Sequence, residues 1–397
     1  MPRMWFALLL TGLMGLTACQ PQEIALEVTR IVETQEVVEV TRIVRETVVE
    51  EATRLVSEEL VVEVTKSPLG TEARPVQLLF SPVVNTAVIN RRGDILAQVL
   101  SEATGYQFTV GILDDEQTVI DMLCAAPVET IAFLSASGFV LADEQCAAQV
   151  GNVAVSSDGV TWKSGMIVTR RGSGIEELED LAGKSWAVAD RNSMANFLYF
   201  QALLEQEGIE PGDIIEVTGD SAAMLAVYEE EADFATADFV PPIMPYEERL
   251  WQYGEDDPEP GRYLGIPPRR SPIGYVLVNG EPEFGGYRLR DARSRIFDVA
   301  PQIYDRTQIV TLSAQIPNST VAFGRDFPLG LARQVTTTLE AFAASEDCMA
   351  SICATDFYGW AGLLPAEKEI FESIGFVVET LDLSAEELLD LARLNGG

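Results

Sequence analysis

The chain of 397 residues contains no histidine. Ser-His-Asp and Cys-His nucleophile arrangements cannot be built from it, nor can mixed Cys/His zinc sites. Ser-Lys and paired-carboxylate chemistry stay formally open; Lys163 and Ser164 are adjacent, but neighbours on a strand point to opposite faces. Positive charge is also scarce, with 27 Lys and Arg against 62 Asp and Glu and a net charge of -35. That balance repels nucleic acid and opposes long-range steering of anions, so any anion site has to be local. The apolar stretch at residues 4–18 holds fifteen residues, too few to span a hydrocarbon core comfortably. No cofactor or metal site is expected; the acidic run Glu255-Asp256-Asp257-Pro258-Glu259, set among Gly and Pro, reads as a solvated loop rather than a calcium site.

What is present begins with Leu16-Thr17-Ala18-Cys19, a small-residue cleavage pattern that follows Arg3 and the apolar stretch. Residues 1–18 read as a lipoprotein signal peptide. Cys19 would carry the acyl chains that hold the protein on the extracytoplasmic face of a membrane. An ordinary secretory signal with an incidental Cys19 is the alternative.

Residues 19–74 form a stalk or linker, in which Glu27-Val28-Thr29-Arg30, Glu39-Val40-Thr41-Arg42, Glu51-Ala52-Thr53-Arg54 and Glu63-Val64-Thr65-Lys66 recur every twelve residues. Apolar pairs come about every six residues, which fits extended chain better than a helical period; a coiled-coil stem competes with that reading. The four cysteines that remain, Cys124, Cys146, Cys348 and Cys353, suit two local disulfides in an exported protein, Cys124–Cys146 and Cys348–Cys353, against the alternative of four buried thiols.

From Pro75 onward strands and helices alternate, as in an α/β body of two lobes with mixed sheets flanked by helices. Residues 75–165 begin lobe 1. Residues 166–316 make lobe 2, with a Pro- and Gly-rich stretch at 243–292 that reads as an insertion or long surface excursion. Residues 317–397 return to lobe 1 and end in helices.

The order of Phe80-Ser81-Pro82, Ile131-Ala132-Phe133-Leu134-Ser135, the stretch Leu181 to Asp190, Asp233-Phe234-Ala235-Thr236-Ala237-Asp238 and Gln315-Ile316-Pro317-Asn318 resembles the phosphate/phosphite/phosphonate solute-binding proteins that feed ABC importers. The resemblance implies a type II periplasmic-binding-protein fold, a ligand clamped between lobes, an ABC permease as partner, and no enzyme activity. It also implies that Asp238 faces a cationic group of the ligand. The family's Pro and hydroxyl-rich turn are replaced here by Arg191-Asn192-Ser193-Met194-Ala195, and its histidine near Gly219-Asp220-Ser221 is missing.

The candidate ligand residues are Ser81, Ser135, Ser137, Trp162, Ser164, Ser193, Met194 and Asp238. Structural roles compete with each: Ser135, Ser137 and Ser193 as helix caps, Trp162 as a core or hinge aromatic, Asp238 as a salt-bridged strand end. Arg269 and Arg270 read as surface charges. The expected ligand is a small anion or zwitterion, with its negative end at the helix start over residues 192–195 and any cationic end near Asp238. A ligand-sensing ectodomain and a hydrolase are the competing functions.

Overall fold

The computed structural model describes residues 66–260, 266–272, 274–280 and 285–394. The expected signal peptide, Cys19 and the repeats through residue 65 lie outside the described residues. Among those described, no helix is long and apolar enough to cross a membrane.

The first lobe opens with β1 (Val76–Phe80), α1 (Thr86–Thr104), β2 (Phe108–Ile112), α2 (Glu116–Ala125), β3 (Thr130–Leu134), α3 (Ala136–Cys146) and β4 (Gln149–Val155). Chain continues through β5 (Trp162–Arg170), β6 (Trp186–Val188), a π turn at Met194–Leu198 that runs into α4 (Tyr199–Gln206), β7 (Ile214–Glu216), α5 (Asp220–Tyr228) and β8 (Phe234–Phe239). Next come β9 (Arg269–Arg270), β10 (Val276–Asn279), β11 (Gly286–Leu289), α6 (Ala292–Ile296), α7 (Ile303–Arg306) and β12 (Thr307–Leu312). The return passes through β13 (Ile316–Pro317), β14 (Thr320–Phe323), α8 (Leu329–Ala343), β15 (Gly362–Pro365), α9 (Glu372–Leu381) and α10 (Ala385–Leu394).

Lobe 1 is a six-stranded sheet in the order β15-β4-β14-β3-β1-β2, with β1 parallel to both β2 and β3 and the returning β14 antiparallel to β3. Its central strand β3 is buried on both faces, as the run Thr130-Ile131-Ala132-Phe133-Leu134, without a charged residue, dictates. One face packs Leu78, Phe80, Ile131 and Phe133 against α1 and α8; the other packs Leu79, Ala132 and Leu134 against α2 and α3. Helix α1 starts eight residues before the apolar pattern that marks it in the sequence, because the Asn85 side chain accepts the Ala87 N–H and caps an earlier turn. It stops where expected, at Gly105, whose left-handed φ of 78° lets its N–H reach the Ser101 carbonyl. Residues 67–74, counted with the stalk from sequence, belong to this lobe: the Gly70 carbonyl accepts the Gln107 N–H, and Leu69 packs on the core.

Lobe 2 has the order β12-β5-β8-β6-β7, with β6 parallel to β7 and β8, and β5 antiparallel to β8 and β12. The stretch at 243–292 is more than a surface excursion. Its β9–β11 form a small antiparallel sheet whose alternating Val276 and Val278 are buried in the lobe 2 core with Trp251 and Leu289. Period-two alternation over only four residues is too short to stand out among the surrounding Pro and Gly. The acidic run is not a free loop either. Asp256 pairs with Arg249 at 2.5 Å, and Glu259 pairs with Arg171 and with the buried Arg293, which also holds Asp291 at 2.9 Å. Arg270 is tied to Asp298 at 2.9 Å.

The structure joins Cys124 to Cys146 and Cys348 to Cys353, with Cα separations of 5.5 and 5.2 Å. The first staples α2 to α3. Two strands carry the chain between lobes: the start of β5 pairs with β13, Trp162 opposite Pro317, before β5 enters the second sheet and β14 returns to the first.

Candidate functional site

In parallel α/β sheets, the helix starts and their unpaired N–H groups collect at the carboxyl ends of the strands, and ligands bind there. Here both lobes turn those ends toward the crossing strands. Leu134, ending β3, pairs with Thr320, three residues past Pro317; Asp238, near the end of β8, pairs with Gly165 on β5, three residues past Trp162. The cleft is therefore bounded by the loops after β1, β2 and β3 on one side and those after β6, β7 and β8 on the other.

On the lobe 1 side, Ser81 follows β1 and Ser135 follows β3, on neighbouring strands. Ser135 is the N-cap of α3: its hydroxyl oxygen accepts the Gly138 N–H at 2.9 Å. The same hydroxyl donates to Glu116 Oε2 at 3.0 Å, and the Ser135 backbone N–H donates to Glu116 Oε1 at 2.5 Å. Ser137 is buried in the first turn of α3. Burial pushes the Glu116 carboxyl above the ordinary carboxylate range, while the two Ser135 donors pull it back. Nearby, the Tyr358 hydroxyl is buried without a hydrogen-bond partner among rings that include Phe80, Phe133 and Trp360. Burial raises its pKa, and the Glu116 charge adds to that.

The lobe 2 side is a group of acids. Asp190 follows β6, Asp220 opens α5 after β7, and Asp238 is the penultimate residue of β8. Asp220 accepts the Asp238 N–H at 3.0 Å, and Asp238 accepts the Asn196 side-chain amide at 2.7 Å. Asn196 is 7% exposed, and its Oδ1 is buried with no partner. Desolvation raises the Asp220 pKa, the Asp238 charge raises it further and Asp190 adds to this, against the Asp238 N–H and Arg295. Ser193 caps the π turn by accepting the Asn196 N–H at 3.2 Å. Oxygen acceptors thus outnumber donors among these residues, which suits a donor-rich group.

Three other candidates have structural surroundings. Met194 packs against, and Ala195 lies within, the apolar cluster that contains Leu134, Ala136 and Ile316, while Asn192 stays exposed and Ser193 half-buried. Gly165 permits that approach: a Cβ there would lie 2.2 Å from the Ala195 carbonyl oxygen. Ser164 is 1% exposed and donates to the Ser313 carbonyl at 3.0 Å across the crossing strands. Trp162 sits on Trp251 and Tyr253 and lines a depression of about 450 Å³ beside the crossing, with Tyr199, Gln315 and Phe376. Ser81, Ser135 and Ser137 are thus gathered on one cleft wall and Ser193 and Asp238 on the other, whereas Ser164 is packed away and Met194 is half-buried against apolar side chains. Glu116, Asn196 and Asp220 were not among the sequence candidates. Asp115-Glu116 ahead of a helical pattern was the one available signal for the first, and the other two sit within three residues of positions already singled out.

Residues 78–376 match the family of ABC transporter, phosphonate, periplasmic substrate-binding proteins. The chain belongs to that family. As a phosphonate-binding-family protein it has the two-lobed, periplasmic-binding-protein-like α/β fold, and the family's members are substrate-binding components of ABC importers. No protein of curated function matches the sequence. Similar solved structures include XAC2383 from Xanthomonas citri bound to ATP, at 12% identity over 77% of this chain and 98% of that one, with a TM-score of 0.44. PhnD1 from Prochlorococcus marinus in complex with methylphosphonate is 10% identical over 77% of this chain and 98% of its own, with a TM-score of 0.37. An ABC phosphonate transporter binding protein from Pseudomonas aeruginosa is 12% identical over 81% and 96%, with a TM-score of 0.35.

Proposed function

We propose that this phosphonate-binding-family protein is a lipid-anchored, extracytoplasmic solute receptor that closes on a small amine-bearing zwitterion and delivers it to the permease of an ABC importer. The observation that carries the ligand class is the acceptor-rich group at the lobe 2 strand ends, where the buried Asn196 Oδ1 lacks a donor and Asp220 and Asp238 share one neighbourhood. An ammonium brings three donors and a positive charge, which answers both. A bare oxyanion would meet carboxylates there, and Ala195 is buried among apolar side chains with Met194 half-buried beside it. Ser81 and Ser137 on the opposite wall supply hydroxyls for the ligand's other end, and lobe closure about β5 and β13 is the means of capture.

Calorimetry with aminoalkylphosphonates, amino acids, phosphate and phosphite tests this. For a zwitterion, Asp238→Asn weakens binding by about tenfold or more, as expected for one lost charged contact. Binding of phosphate that Asp238→Asn leaves unchanged or strengthens overturns the amine reading.

A further inference from the structure

Beside the crossing strands lies the depression of about 450 Å³ that Trp162 lines. Its walls are the start of β5, the segment from Ala314 to Pro317, Tyr199 of α4, Tyr253, and the stretch from Glu369 to Phe376. Neither the serines of lobe 1 nor Asp190, Asp220 and Asp238 of the cleft contribute to it. The volume falls among those of small-molecule sites, which run from about 300 to 1,000 Å³ and combine apolar walls with a few polar groups.

Two ring pairs line it. Trp162 and Tyr253 meet edge to face with centroids 5.6 Å apart, and the Tyr253 hydroxyl is fixed by donating to the Ser313 carbonyl at 2.7 Å. Tyr199 and Phe376 lie 5.5 Å apart. The charge around these rings has one sign. Glu369 and Glu372 line the depression and are exposed, and among the described residues no lysine or arginine lines it. The adjacent Lys368 is held by Asp143 at 2.6 Å. With a net charge of -35, the field of the whole chain also draws cations.

Aromatic faces attract a cation through their ring quadrupoles, more strongly where water is displaced. Largely apolar walls offer an N–H-bearing ammonium few acceptors, and donors left unpaired there cost free energy; a fully alkylated ammonium has none to leave unpaired. We propose that this depression is a binding site for a quaternary ammonium compound, whose alkyl groups pack on Trp162, Tyr199, Tyr253 and Phe376 and whose charge is balanced by Glu369 and Glu372. The site is separate from the acid group at the lobe 2 strand ends and stands independently of the amine reading of that group. Trp162, placed among the candidate ligand residues from sequence, then serves this site and not the cleft.

The test is calorimetry and thermal melting of the protein with tetramethylammonium, choline and the uncharged tert-butyl analogue of choline. Both cations should bind saturably and raise the melting temperature, with the uncharged analogue at least about tenfold weaker than choline. Glu369→Gln together with Glu372→Gln removes the charge at exposed positions and should weaken tetramethylammonium binding about fivefold or more. Trp162→Leu removes a ring and should weaken it about tenfold, and the paired glutamine substitution decides the matter if the leucine variant does not fold. Absence of saturable binding of either cation overturns the inference, as does equal affinity for the uncharged analogue. An affinity that the paired substitution or a folded Trp162→Leu leaves unaltered overturns it too. Asp238→Asn locates the probe: tetramethylammonium has no N–H to offer Asn196 Oδ1, so its binding should survive there, and loss of binding in that variant would place the cation in the cleft and overturn the inference.

Discussion

Gly165→Ala tests whether the cleft geometry depends on one close approach. Gly165 lies on β5 opposite Asp238 and has no positive φ, so alanine is compatible with its backbone and any effect is steric. The added methyl would stand 2.2 Å from the Ala195 carbonyl oxygen and 2.9 Å from both the Ala195 carbonyl carbon and Phe200 Cε2. Two of those three atoms are backbone, so no rotamer change relieves the contact. The π turn at Met194–Leu198 has to withdraw by about 1 Å to restore ordinary van der Waals separation, which as overpacking costs roughly 1–3 kcal/mol. Asn196 rides on that turn. A withdrawal of this size takes its 2.7 Å bond to Asp238 beyond hydrogen-bonding range and displaces Ser193 as well. Calorimetric melting should therefore fall by a few degrees, and affinity for an amine-bearing ligand by about tenfold, the two effects appearing together. Gly111→Ala is the matched control, because a Cβ there meets Leu79 Cδ2 at 3.0 Å, the end of a flexible side chain. A Gly165→Ala protein that melts and binds like the parent would refute the reasoning.

Three further outcomes follow from other parts of the molecule. Burial alone would lower the pKa of the Arg293 guanidinium, but Asp291 and Glu259 together push it up; Arg293→Leu leaves both acids without that partner and should cost about 3–5 kcal/mol in denaturant unfolding. Because the folded-state pKa of Asp220 is raised above 3.8, chiefly by burial and by Asp238, the folded protein holds that proton more tightly than the unfolded chain. Asp220 thus lends stability that is lost as pH rises through its folded value, and an ammonium that favours its ionised form should release protons on binding in that acidic window. Calorimetry in buffers of different ionisation enthalpy detects the release, and heats that do not vary with buffer would contradict it. Cys19→Ser should move the protein from the detergent phase to the aqueous phase while its melting profile stays unchanged; retention in the detergent phase would mean that another segment anchors it.

The parts of the fold that could be read in advance are those whose signal is local. Thr130-Ile131-Ala132-Phe133-Leu134 is a continuous apolar run of strand length, Gly105 ends a periodic helix, and Thr320-Val321-Ala322-Phe323 forms a strand over just those residues. The Pro- and Gly-rich region misled because composition masks the four-residue alternation of β10, and only burial of Val276 and Val278 under Trp251 makes that strand worth forming. Site residues divide along the same line. Ser81, Ser135 and Asp238 lie at strand ends, a placement that pattern alone gives. The partnership of Ser135 with Glu116 spans nineteen residues and exists because α2 and α3 pack side by side. Ser164 and Met194 were good candidates by position, but whether a residue at a crossing faces the ligand or the packing is decided by the second strand. Ser313 takes the hydroxyl of Ser164, and the lobe 1 apolar cluster takes Met194.

The excess of acid over base acquires a local meaning in the cleft. Asp190, Asp220 and Asp238 gather at the strand ends of lobe 2, and Glu116 is the carboxylate at the strand ends of lobe 1. Two like charges 10 Å apart repel by roughly 1.7 kcal/mol at an effective dielectric of about 20, so drawing these walls together without a ligand raises the energy of the closed form. A cation between them reverses the sign of each term, and closure then becomes favourable because of the ligand. The hydrogen bonds within each wall limit the penalty without removing it: α3 and Ser135 neutralise part of the Glu116 charge, and the Asp238 N–H and Arg295 part of that on Asp220. On the amine-bearing reading proposed above, these same charges would tie closure to the solute.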